Sequence, residues 1–180
     1  MNRKLGRIFL IVSLIVNLLL VGKIMIDSSE TQLSYAISGY QGSPEEELIE
    51  VINNTKEELN IAIYNLDNDN IVDAISAAAE RGVSIRIIAD GENTENNDSE
   101  EIFDELEALN IPIKINTDEK MHIKLTISDN QTVVTGSFNY TKDSAEDNEE
   151  VLLTVSDLDL ASSMKETFNE MWDSGDLENW

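Results

Sequence analysis

The chain has no cysteine, one histidine and two prolines in 180 residues. Without cysteine there is no disulfide framework, no thiol nucleophile and no thiolate metal site. Basic side chains are scarce as well. Twelve lysines and arginines stand against 36 aspartates and glutamates, for a formal net charge of −24. A surface of that sign repels polyanions at long range, so any action on nucleic acid or anionic lipid has to rest on a local exception. The acid does not build a calcium loop: Asp67-Asn68-Asp69-Asn70 lacks the glycine at the sixth position and the closing glutamate such loops need. The acidic residues read instead as a solvated shell. No internal repeat is detectable, so each motif occurs once.

The length allows one N-terminal segment and one domain of roughly 150 residues, enough to bury a core. Arg3, Lys4 and Arg7 precede an apolar run from Ile8 to Val21 broken by Ser13 and Asn17 alone, and Ile24, Met25 and Ile26 follow. Residues 1–27 therefore read as a signal anchor or a signal peptide. No small-x-small cleavage site follows closely, which favours an uncleaved anchor in the cell membrane. The basic flank then stays inside and places the remainder on the extracytoplasmic side; cleavage would leave a secreted protein. From residue 28 onward eight basic residues face 35 acidic ones, a net charge of −27.

Residues 28–42 read as a polar linker before a single domain over 43–175. Ser43-Pro44-Glu45-Glu46 is a capping box with proline at the first helical position, so a helix starts there. Leu59–Tyr64 reads as a buried strand, Ile71–Arg81 as an alanine-rich helix closed by Gly82, and Val83–Ala89 as a second strand. A helix from about Ser99 and a short strand over Ile113–Ile115 follow. Met121–Ser128 and Thr132–Thr135 pattern as two strands joined at Asp129-Asn130, Val151–Val155 as another, and a last helix carries Leu160, Met164, Phe168, Met171 and Trp172. The order implies an α/β fold, a mixed sheet sandwiched between helices.

The chemistry concentrates in His122-Ile-Lys124 and in Gly136-Ser137-Phe138-Asn139. On an extended strand residues two apart face the same way, so His122 and Lys124 project together. An imidazole beside an ammonium suits a phosphoryl group: the nitrogen can attack phosphorus while the lysine neutralises the non-bridging oxygens. Gly136 permits a tight turn, the Ser137 hydroxyl and Asn139 amide can bind the same oxygens, and Glu150, if it reaches His122, would fix its tautomer. Asp129, at a predicted hairpin turn, reads as structural. Phe138 and Tyr140 read as core.

Together His122, Lys124, Asp129, Gly136, Ser137 and Asn139 spell H-x-K-x4-D-x6-G-S-x-N, which resembles the signature of the phospholipase D superfamily. Six specified positions arise by chance about once in 10⁸ starts, so coincidence is excluded in a chain of this length. From Ser43 to Trp172 the chain looks like the compact single-motif bacterial nucleases of that superfamily, including Thr141-Lys142 and Asn148-x-Glu150. The resemblance implies catalysis by His122, Lys124, Asn139 and Glu150, with Ser137, Lys124 and Asn139 on the substrate and Asp129 and Gly136 as structural members. It also implies a phosphohistidine intermediate, no metal and no cofactor. Two motif histidines are needed and the chain has one, so the resemblance implies a homodimer that shares one site. A nucleic-acid substrate, DNA or RNA, is expected. Phospholipid hydrolysis at the membrane and a catalytically silent dimerisation or binding module are the alternatives.

Overall fold

Two-residue alternation along the strands decides the architecture. In the computed structural model, which describes residues 12–13, 30–94 and 97–180, the chain divides into Met1–Glu30 and Thr31–Trp180. The second unit has eight strands: β1 (Gln32–Ile37), β2 (Glu58–Ile63), β3 (Ser84–Asp90), β4 (Ile113–Asn116), β5 (Lys124–Ser128), β6 (Thr132–Gly136), β7 (Val151–Ser156) and β8 (Leu177–Asn179). They form one sheet in the order β1-β7-β6-β5-β2-β3-β4-β8. Strands β2, β3 and β4 run parallel, and every other pairing is antiparallel. Helices α1 (Pro44–Asn54), α2 (Asp69–Glu80), α3 (Asn97–Ala108), α4 (Lys142–Glu146) and α5 (Leu158–Trp172) connect them.

Leu59, Ile61 and Ile63 of β2 and Ile85, Ile87 and Ala89 of β3 pack on one face with Leu48 and Ile52 of α1, Ile71 and Ile75 of α2, and Phe103 and Leu106 of α3. The residues between them, Ala62 and Ile88, share the opposite face with Leu125, Ile127, Val133 and Ala161 and Phe168 of α5. Burial on both faces is why β2 is apolar from Leu59 to Ile63 apart from Asn60. Each fully buried Ile or Leu contributes about 1.5–3 kcal/mol of hydrophobic stabilisation. The expected mixed sheet between helices is therefore the observed one.

The termini of the elements follow their caps. The Ser43 hydroxyl accepts from Glu46 N at 3.3 Å, with Pro44 behind it and Glu45, Glu46 and Glu47 in the first turn. The Asn68 side chain caps α2 through Asn70 N and Ile71 N, so the helix begins at Asp69 rather than at Ile71. Asp129 and Asn130 both have positive φ, 52° and 51°, the conformation that a two-residue type I′ hairpin loop requires between β5 and β6.

Several boundaries differ from the sequence reading. The expected linker over 28–42 contains β1, paired along its whole length with β7 and tied to α1 where the Ser34 hydroxyl donates to Glu47 at 2.7 Å. Its partner lies far along the chain, so no local pattern announced it. The folded unit also runs past residue 175, because β8 closes the opposite edge of the sheet against β4. Strand β5 begins at Lys124, which leaves His122 just before it. The expected anchor over 1–27 lies outside the described residues apart from Val12 and Ser13. Among the described residues no helix is long and apolar enough to cross a membrane.

Candidate active site

The motif residues other than Asp129 collect at one end of the sheet, where β2 and β3 finish, β5 and β7 start, and β6 ends at Gly136. The carboxyl ends of parallel strands are where open α/β sheets hold ligands. Residues Tyr64 to Leu66 continue β2 beyond its last pairing. Tyr64 N donates to Ile123 O at 2.9 Å, Tyr140 N donates to Asn65 O at 3.1 Å, and Leu66 bridges Tyr140. This short segment therefore lies between the His122–Lys124 stretch and the Phe138–Tyr140 stretch.

The ring of Tyr64 is the centre of the arrangement. His122 packs edge-on against it with ring centroids 4.6 Å apart. Lys124 Nζ lies 4.8 Å and Lys120 Nζ 4.7 Å from the same centroid. His122 is exposed, whereas Lys124 is 5% exposed and its ammonium has no hydrogen-bond partner. Burial pulls the Lys124 pKa below the usual lysine value, opposed by the charges of Tyr64, Glu150 and Asp90. A buried ammonium with unused donors is suited to an incoming anion. Bonds from Asn93 and then Lys120 lower the Tyr64 phenol pKa. Lys120 also pairs with Glu92 at 3.3 Å. Asn139 is half-buried and leaves its amide oxygen without a partner. A half-turn of that amide would present its NH₂ instead.

One expected contact does not form. Glu150 does not bond to His122. It accepts the Ser137 hydroxyl in a short hydrogen bond and the Ser144 hydroxyl at 3.4 Å, and reaches Lys124 only through its field. Ser137 is likewise committed, since Val151 N donates to its oxygen at 3.1 Å and its own N–H donates to Val151 O at 2.9 Å. These bonds knot the end of β6 to the start of β7. The knot explains Gly136: a Cβ there would stand 2.1 Å from Val151 O, so only glycine lets the strands close. The Gly-Ser pair thus joins β6 to β7 at the edge of the site, with the exposed Ser137 bonded to Glu150 and Val151.

Asp129 is remote from this end and structural, as expected. Its carboxylate accepts Lys56 N, Glu57 N and Glu58 N at 2.9, 2.8 and 3.0 Å, which fastens the β5–β6 turn to the start of β2. Burial alone would raise its pKa, but the backbone donors of Glu58, Glu57 and Lys56 outweigh it and hold the carboxyl below its ordinary value. Phe138 and Tyr140 are core residues, each 1% exposed. The Tyr140 hydroxyl bonds to Thr126 at 2.7 Å, and burial pushes its pKa well above that of free tyrosine.

Sequence reasoning missed two residues. Tyr64 carried a readable signal, a polar-tipped aromatic at the carboxyl end of a buried parallel strand. Asp90, at the end of β3, is 1% exposed; it accepts Met121 N at 2.6 Å, Glu92 N at 3.2 Å and the Asn93 amide at 3.3 Å. It thereby fixes the backbone immediately before His122. Among the described residues no group of three or more histidine or carboxylate side chains converges as a metal cage.

Residues 48–172 match a family model described as the PLD-like domain of cardiolipin synthase. The chain belongs to the phospholipase D superfamily. The superfamily's motif is the one centred on His122 and Lys124 at the sheet end. A phospholipase D family member, Nuc from Salmonella typhimurium, superposes with a TM-score of 0.79 at 26% identity, over 84% of this chain and 99% of Nuc. NucT from Helicobacter pylori superposes with a TM-score of 0.74 at 27% identity, over 84% of this chain and all of NucT. The mitochondrial cardiolipin hydrolase of Chlamydomonas reinhardtii is 30% identical over 116 residues, 64% of this chain and 51% of its own length. The chain spans about half the length of the curated phospholipase D relatives it matches.

Proposed function

We propose that the protein is a metal-independent phosphodiesterase, an endonuclease that cuts nucleic acid through a phosphohistidine in a homodimer. The observation that carries the reading is the cluster at the sheet end. There an exposed imidazole and a buried, unpartnered ammonium flank one aromatic ring. His122 attacks phosphorus and the bond to the leaving oxygen breaks, with Lys124 and Asn139 balancing the charge on the non-bridging oxygens. The leaving oxygen takes a proton from the partner's His122. That imidazole then removes a proton from water, whose oxygen displaces His122 from phosphorus, releasing a phosphate monoester and the free enzyme. Glu150 acts on the site through Ser137 and through its charge near Lys124.

A nucleic-acid substrate is supported by the compact one-motif architecture, since the chain covers essentially all of Nuc and NucT but half of the curated lipid hydrolase. Residues 1–27 serve as a membrane anchor that leaves the domain extracytoplasmic. Phospholipid hydrolysis is the second reading. The observation in its favour is an apolar flank, with Tyr35, Val151 and Leu153 exposed on β1 and β7 and Tyr40 on the turn beyond β1. Assaying single-stranded DNA, duplex DNA, RNA and phospholipid vesicles in parallel separates the two. Cleavage of vesicles alone would refute the nuclease.

The shared site has its own test. Wild-type protein is mixed with His122→Ala and the subunits are allowed to exchange. If a working site needs His122 from both chains, activity follows the square of the wild-type fraction and falls to about one quarter at equal amounts. A linear fall to about one half, with exchange and pairing established by sedimentation, would place a complete site in each chain.

A further inference from the structure

The sequence reading gave the task of orienting His122 to Glu150, but Glu150 is held by Ser137 and Ser144. We propose that Tyr64 is the positioning residue of this site, its ring holding the His122 imidazole edge-on and gathering the Lys124 and Lys120 ammonium groups around the same phosphate position. The proposal rests on the phosphodiesterase reading.

An exposed histidine turns freely about two side-chain bonds, and a nucleophile that has to approach phosphorus in line gains rate from losing that freedom. Tyr64 supplies the restraint because it is restrained itself. Its backbone is bonded to Ile123 O, its hydroxyl is held by Asn93 and Lys120, and Lys120 is held in turn by Glu92. The ring's electron-rich face attracts both ammonium groups, so one side chain sets the place of three cationic or basic groups. Packing does not account for the tyrosine, which is half-buried and belongs to neither of the two apolar clusters that make the core.

The test uses the full chain as wild type, Tyr64→Leu and Tyr64→Phe. Because His122 is the sole histidine, its two ring C–H proton resonances are assigned without ambiguity. Tyr64→Leu removes the ring and should move both resonances toward those of free histidine. On bis(4-nitrophenyl) phosphate and on a single-stranded DNA oligonucleotide its kcat should fall about tenfold, with KM within about threefold. Tyr64→Phe keeps the ring and should keep both the resonances and kcat within about threefold of wild type. A folded Tyr64→Leu protein with unmoved resonances, or with wild-type kcat, overturns the proposal. If wild-type protein cleaves no phosphodiester at all, the functional reading falls, and the resonances alone decide whether Tyr64 positions His122.

Discussion

Replacing Asp129 separates a scaffold role from a catalytic one for the only acid in the motif. Its carboxylate accepts three backbone N–H groups at 2.8 to 3.0 Å. Hydrogen bonds to a charged group contribute about 1.5–3 kcal/mol each when protected. Those from Lys56 and Glu57 lie at the surface, where water replaces much of what is lost, so Asp129→Ala should cost about 3 kcal/mol in all. A domain of this size loses 2–4 °C per kcal/mol, which puts the fall in Tm at about 6–12 °C. Asp129→Asn keeps one side-chain oxygen as acceptor and should lose about half as much. The effect depends on pH with a defined sign. The folded carboxyl titrates below its ordinary value, so its contribution is complete above the unfolded pKa of about 3.9 and fades as pH falls through the folded value. Urea unfolding should show a constant gap between wild type and Asp129→Ala from neutral pH down to about pH 5, closing below about pH 4. Measured well below both melting temperatures, kcat should be unchanged. An unaltered Tm together with a loss of kcat beyond about tenfold would refute the scaffold role and make Asp129 part of the chemistry.

Gly136→Ala places a Cβ against Val151 O and forces β6 from β7, so urea unfolding should show a loss of about 1–3 kcal/mol and kcat should drop as the Ser137–Glu150 knot opens; retention of both would show that the strands shift freely. Activity should persist in excess EDTA, because His122 supplies the nucleophile and Lys124 the neutralising charge; loss on chelation and recovery with a divalent ion would sink the mechanism. Two of the few lysines in the domain are already engaged by acids, Lys120 with Glu92 and Lys142 with Asp69 at 2.9 Å. Binding should therefore release few counterions, and its dependence on salt should be shallow; a slope equivalent to six or more phosphate contacts would mean a larger basic surface than these residues make.

Much of the site was legible in the sequence because it is local. His122 and Lys124 are two residues apart, Gly136, Ser137 and Asn139 lie within four, and periodicity and caps such as Ser43 and Asn68 act over a few residues. Those signals sufficed for the superfamily, the sandwiched sheet, the hairpin and the core positions of Phe138 and Tyr140. Tertiary structure decided what depends on residues meeting from distant parts of the chain. Strand β1 exists because β7 pairs with it, and β8 because β4 offers an edge. Glu150 turns to Ser137 because the close approach of Gly136 and Val151 brings that hydroxyl to it. Tyr64 becomes the neighbour of His122 because antiparallel pairing of β2 with β5 carries Tyr64 past the end of β2 to Ile123. Local patterns specify which elements form and which residues carry chemistry. The side chain each of those residues touches is set by strand order and register, which come from burying both sheet faces at once.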